Sequence, residues 1–177
     1  MILNQENCLM LVIDVQEKLL NAVFNKEEVE KKSRILAKTT EILNIPIIVT
    51  EQYPQGLGET IEGIKDSAKV FIKTAFNALN DESLVNDLKT YNKKQIIIFG
   101  IETHICVHQT VDALIENGFD VTVVRDACGS RSELEYQSGL ACMKQNGANI
   151  KTTEMVLFEL LKSAKHPNFK EIQALIK

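Results

Sequence analysis

The sequence contains no C-x-x-C pair, and its four cysteines, Cys8, Cys106, Cys128 and Cys142, stand far apart. That spacing gives no disulfide framework, and the thiols are expected to be free in a reducing, cytoplasmic setting. No apolar run approaches the roughly 20 residues that span a bilayer, so no membrane partner is expected. Residues 1–7 lack a basic segment followed by an apolar one, and no secretory leader is expected. Both signs of charge are interspersed at a net charge of −4, with no basic stripe or Arg-rich arm. That distribution argues against a nucleic-acid partner. Repeats, low-complexity tracts and linkers are also missing, which predicts one domain over residues 1–177.

What is present is a regular alternation. Strand-like apolar runs cover Cys8–Ile13, Ile45–Thr50, Lys69–Ile72, Gln95–Phe99, Asp120–Val124 and Asn149–Lys151. Between them lie helix-period segments. Val29, Ile35, Leu36, Ile42 and Leu43 share a face of the first, and Leu84, Val85 and Leu88 mark a second. Val107, Val111, Leu114 and Ile115 mark a third that stops at Asn117-Gly118, and Leu140 and Met143 mark a fourth that stops at Asn146-Gly147. Helices are also expected over Glu154–Ala164 and Asn168–Lys177, separated by His166-Pro167. Alternating β and α segments imply a mainly parallel sheet with helices on both faces. Continuous apolar strands are what two covered faces require. The predicted fold is a three-layer α/β/α, Rossmann-like domain with a six-stranded, mainly parallel sheet.

Three polar residues follow three of these strands. Asp14 follows Leu9–Ile13, Lys73 follows Val70–Ile72, and Cys106 lies just past Ile96–Phe99. Each has a plain alternative: Asp14 as a helix cap, Lys73 as a solvated charge, Cys106 as a core thiol. Together they occupy the strand ends where open α/β sheets bind ligands. Placed in the first turn of a helix, Cys106 would meet the positive end of the dipole and free N–H groups, which favours thiolate. It would then be the most reactive of the four thiols. The trio forms a coherent set for acyl transfer. The carboxylate takes the thiol proton, the ammonium keeps the carboxylate ionised, and the thiolate attacks a carbonyl carbon.

The motifs around these residues resemble those of the isochorismatase-like (cysteine) hydrolase superfamily. They are Asp14-Val15-Gln16, then Lys73 followed by Ala75-Phe76, then Gly100-Ile101-Glu102-Thr103-His104-Ile105-Cys106-Val107. Thr50–Pro54, Asp126–Ser132 and His166-Pro167 are similar to the subgroup of isochorismatase domain-containing proteins. The resemblance implies a catalytic triad of Asp14, Lys73 and Cys106 and a cis peptide between Ile101 and Glu102. It also implies an oxyanion hole made by the backbone N–H groups of Glu102 and Cys106, and a homo-oligomer. Gln16, Tyr53, Phe76, Ile101 and Glu102 are candidates for substrate binding, with plain packing as the alternative.

Departures from the family pattern narrow the expected activity. Nicotinamidases carry an Asp/His metal cluster after the second strand, where this chain has Thr50–Gly56 without histidine. No metal and no cofactor are expected. His104 and His108 share a helix face but have no acidic third ligand in sequence, so solvent or subunit contacts are expected of them. Ser130-Arg131-Ser132 could hold an anion or cap the next helix. Cys128, in a turn, and Cys142, in a helix, are expected to pack. The resulting expectation is hydrolysis of a small carboxamide or related C–N bond through a thioester. Vinyl-ether hydrolysis and a low-turnover binding protein are the alternatives.

Overall fold

The computed structural model describes residues 1–66 and 68–177. The sheet is six-stranded, every pairing in it is parallel, and it runs in the order β3-β2-β1-β4-β5-β6. The strands are β1 (Cys8–Ile13), β2 (Ile47–Gln52), β3 (Lys69–Lys73), β4 (Gln95–Ile101), β5 (Asp120–Gly129) and β6 (Asn149–Lys151). Among the described residues there are eight α-helices: α1 (Glu17–Leu20), α2 (Lys26–Leu43), α3 (Pro54–Leu57), α4 (Glu82–Thr90), α5 (His108–Glu116), α6 (Glu133–Gln145), α7 (Thr153–Leu161) and α8 (Phe169–Ala174). Helices α2, α7 and α8 pack together on one face of the sheet, and α5 and α6 pack together on the other. Every residue of β1 and β4 is buried, as expected of central strands covered on both faces.

Chain order explains where a site can form. From β1 the chain builds outward through β2 to β3, then returns past β1 to lay down β4. The switch point therefore lies between β1 and β4, where the connections diverge and leave a crevice at the carboxyl ends. The two strands run in register from Cys8↔Gln95 to Ile13↔Gly100. At that last pair a Cβ on Gly100 would lie 2.0 Å from the Ile13 carbonyl oxygen, and Gly100 has φ +134°. Only glycine satisfies both demands. This close approach brings the ends of β1 and β4 together.

Several boundaries differ from the expected ones. β2 begins at Ile47, not Ile45, because Asn44 takes a left-handed turn (φ 53°) and Pro46 has no N–H to give the ladder. β5 continues five residues past Val124, beyond a register irregularity between Ile98 and Gly100, so Cys128 is a fully buried strand residue and not a turn residue. Cys142 is exposed on α6 where packing was expected. Helix α7 stops at Leu161, where Lys162 turns left-handed (φ 58°). The four-residue helices α1 and α3 are too short to leave a periodic signal. No helix among the described residues is long and apolar enough to cross a membrane.

Gly100→Ala is expected to destabilise the fold by about 3 kcal/mol or more, because the β1–β4 contact has to open. Urea unfolding of the variant checks this. An unchanged midpoint would show that the close approach can relax.

Candidate active site

Asp14 is fully buried and sits in the left-handed region (φ 51°) immediately after β1. Its N–H is held by the Thr50 carbonyl at 3.2 Å, and its own carbonyl takes the Gln16 N–H at 2.8 Å. This tight turn directs the carboxylate across the end of β2. There the Thr50 hydroxyl donates to Oδ1 at 2.6 Å, and Lys73 Nζ donates to Oδ2 at 2.7 Å. Lys73 is itself 5% exposed, so both charges of this pair lie out of water.

β3 is not a neighbour of β1. The Lys73 side chain reaches Asp14 only by crossing the end of β2, and β2 supplies partners along the way. Besides Asp14, Nζ donates to Gln52 Oε1 at 2.6 Å and to the carbonyls of Ala75 and Phe76 at 3.2 and 3.3 Å. An ammonium has three donors and no acceptor. With four oxygens around it, Lys73 keeps no free N–H.

Cys106 approaches from the other side of the switch point. It does not occupy the first turn of a regular helix. Residues Thr103–Val107 form a single π-type turn, closed by the Val107 N–H on the Glu102 carbonyl at 3.2 Å, and α5 begins only at His108. The turn is pinned to the end of β5 by the Thr103 hydroxyl on the Gly129 carbonyl at 3.0 Å and by His104 Nδ1 against Ser130 Oγ at 3.1 Å. Helix α6 presses on it through Gly139, where a Cβ would lie 2.9 Å from His104 Cα.

The thiol is 6% exposed, and its titration is pushed up to about 12. Burial is the largest cause, and the Asp14 charge adds to it. Lys73 pulls the other way but does not overcome them. The thiolate expected from a helix N-terminus is therefore corrected: the resting group is a neutral thiol beside a carboxylate. Cys8 and Cys128 are buried and likewise raised, to about 11 and about 12. Cys142 is the exposed thiol of the four.

The other candidates divide. Gln16 is fully buried, and its amide braces β2. Oε1 accepts the Gln52 N–H at 2.7 Å, while Nε2 donates to the carbonyls of Gln52 and Gly58 at 3.0 and 2.5 Å. No amide proton is left for a ligand, so the expected substrate contact is replaced by a structural role. Ile101 is fully buried in β4 and belongs to the core, not to a pocket wall. Tyr53 and Phe76 are 55% and 52% exposed, and both adjoin Lys73 through the backbone. The peptide between Ile101 and Glu102 is cis. Among the described residues the Glu102 N–H meets no acceptor. The Glu102 carboxylate takes Arg131 Nε at 3.0 and 3.2 Å.

Ser132 caps α6 at the Glu135 N–H, and Ser130 is buried against His104, so the Ser-Arg-Ser segment serves local structure. His104 Nε2 lies 3.6 Å from Glu135, and His108 pairs with Asp112 at 3.2 Å. Their rings thus have different partners, and no group of three metal-ligating side chains occurs among the described residues. A groove of about 530 Å³ beside β6, lined by Arg125, Leu140, Lys144 and Met155 among others, lies away from the trio. Thr50 and Gln52 are site residues that sequence reading passed over. Their signal was available: both end an apolar strand with polar side chains on alternate positions.

Residues 8–155 match the model of the isochorismatase domain. The chain belongs to the isochorismatase family. The isochorismatase domain-containing protein 2 of Danio rerio is 39% identical, covering 98% of this chain and 89% of its own. Among solved structures, a MAR1 ribonuclease from Caenorhabditis elegans is 38% identical with a TM-score of 0.94, covering 99% and 92% of the two chains. YcaC of Pseudomonas aeruginosa, solved with covalent acrylamide, is 28% identical with a TM-score of 0.93 over 98% and 91%. YcaC of Escherichia coli, described as an octameric hydrolase of unknown specificity, is 27% identical with a TM-score of 0.89 over 98% and 95%. Isochorismatase-family membership and the YcaC neighbour support a hydrolase.

The raised thiols have a consequence for stability. Their folded titration lies above the unfolded value near 9, so the stability they contribute is present below pH 9 and is lost as pH rises through about 11 to 12. The melting temperature is expected to fall on going from pH 9 towards pH 11, and to fall less in Cys128→Ala, which removes one such group. An equal fall in both proteins would contradict the assignment of these thiols.

Proposed function

We propose that this protein hydrolyses a small carboxamide or related C–N bond through a thioester on Cys106. The observation that carries the reading is the buried Asp14–Lys73 pair, at 2.7 Å, beside a buried thiol. As Sγ attacks the carbonyl carbon, its proton passes to Asp14. The carbonyl oxygen becomes an oxyanion, held by the N–H groups of Glu102 and Cys106. The unpaired Glu102 N–H supports that role. Collapse breaks the C–N bond, and the proton on Asp14 leaves with the amine. Water then enters, gives a proton to Asp14 and attacks the thioester, and the proton returns to sulfur as the acid departs. Lys73 donates to Asp14 Oδ2 but takes and gives no proton in these steps. It holds Asp14 ionised and in place.

Because the thiol is neutral at rest, Asp14 is needed at the moment of attack and not before it. Tyr53 and Phe76 are proposed to line the mouth, with the Glu102–Arg131 pair as its opposite lip. No step calls for a metal. The carboxylate near the end of β2, Glu51, is taken by the Thr60 N–H at 2.8 Å and lies 3.9 Å from Lys65. The likeness to an octameric hydrolase supports a homo-oligomer, and the four free thiols support a cytoplasmic location. RNA, suggested by the ribonuclease relative, suits this chain poorly, since a net charge of −4 gives no footprint for a phosphate backbone.

A panel of small amides and carbamoyl compounds, with RNA included, is the test. Cys106→Ala should abolish hydrolysis, and Asp14→Asn should lower it by about 100- to 10,000-fold, the usual range for a lost general base. Activity should survive dialysis against a strong chelator. Turnover that persists in Cys106→Ala would sink the thioester and favour vinyl-ether chemistry. Turnover of nothing but RNA would replace the substrate class.

A further inference from the structure

Lys73 and Asp14 come from strands that do not touch, so something has to register one on the other. Of the four acceptors around Nζ, two are backbone carbonyls of its own loop and one is Asp14. The fourth, Gln52 Oε1, is a side chain on the intervening strand and lies closest, at 2.6 Å. The Gln52 amide cannot turn over, because its Nε2 is committed to the Thr74 carbonyl at 2.7 Å. Its backbone is equally fixed, since both its N–H and its carbonyl are bonded by the Gln16 amide. Gln16 in turn holds Gly58 and forms an antiparallel bridge with Thr60. An unbroken chain of hydrogen bonds thus runs from the loop after α3, through Gln16 and Gln52, to Lys73 and Asp14.

We infer that Gln52 is a positioning residue for the proposed reaction: its neutral amide steers the Lys73 ammonium onto Asp14 while leaving Asp14 as the only carboxylate at the ammonium. Neutrality matters as much as reach. A second carboxylate at position 52 would compete for the same ammonium, and the charge that keeps Asp14 ionised would be shared. Gln52 faces Lys73 and, through it, Asp14 and Cys106. Glu51, its neighbour in β2, is taken up by the Thr60 N–H and Lys65. The Glu102 carboxylate is held by Arg131. Neither adds a free charge to the pair. The inference rests on the proposed roles of Asp14 and Cys106, but not on the identity of the substrate.

The test uses acrylamide as the probe. The full chain carries Cys142→Ser to remove the exposed thiol, and the rate of adduct formation at Cys106 is followed by mass spectrometry across pH. In the parent, the rate should rise from the acid side towards neutral pH. In Gln52→Glu that rise should move up by about one pH unit or more, so that the rate on the acid side drops about tenfold. Gln52→Leu removes the acceptor without adding charge. It should leave the acid limb in place. A purely structural role would lower melting temperature or rate in both variants and leave the acid limb of each where the parent has it. If Gln52→Glu does not fold, Gln52→Asn, whose shorter amide cannot reach Lys73, is read on the same profile and should behave as Gln52→Leu. A Gln52→Glu profile that superimposes on the parent overturns the inference. Adduct formation requires no turnover. Amides left uncleaved would therefore defeat the amidase reading alone, and cleavage with an undisplaced limb would defeat the role of Gln52 alone. No adduct in the parent at any pH would overturn both.

Discussion

Two opposite charges are buried under the carboxyl edge of this sheet, Asp14 at 0% and Lys73 at 5% exposure. Taking such a pair out of water costs several kcal/mol per ion, and attraction alone seldom offsets it. Here every polar valence is met: Thr50 and Lys73 on the carboxylate, and four oxygens on the ammonium. The surrounding architecture reads as the means of meeting those valences. The left-handed turn at Asp14, the polar end of β2 and the carbonyls after β3 all converge on two side-chain groups. A buried pair so fully bonded contributes little net stability. What it supplies is a carboxylate held charged and still beside a thiol.

The pair also determines what the cysteine can be. A thiol beside a free ammonium would ionise readily. Beside an ammonium already given to a carboxylate, and out of water, it does not, and its titration goes up to about 12. The π-type turn that carries Cys106 is held on three sides, by β5 through Thr103, by Ser130 through His104 and by α6 through Gly139. That bracing limits how far sulfur can move and keeps it beside Asp14.

Much of this was legible in the sequence. The apolar runs and caps located the six strands, and the polar residues after β1 and β4 and at the end of β3 are the ones the fold brings together. What periodicity could not give was strand order. Without knowing that β2 lies between β1 and β3, the alternate polar residues Thr50 and Gln52 at the end of β2 could not be assigned to bridging the gap. Gln16, beside a strand end, could line a pocket or simply pack, and sequence does not decide between them; in the fold both of its amide protons are taken by backbone carbonyls. The state of Cys106 was misread for a related reason. Sequence located it near a helix start but carried no measure of burial, and burial outweighs the dipole here.

The central claim is that the folded protein at neutral pH holds Cys106 as a neutral thiol next to a charged Asp14–Lys73 pair. Infrared difference spectra between the parent and Cys106→Ser, recorded at neutral pH, test it directly. The S–H stretching band of Cys106 should be present in the parent and missing from the variant, together with an ionised Asp14 carboxylate band that disappears in Asp14→Asn. A parent without that S–H band, or with a protonated Asp14, would contradict the account, because the proton would then already have left sulfur before any substrate arrived.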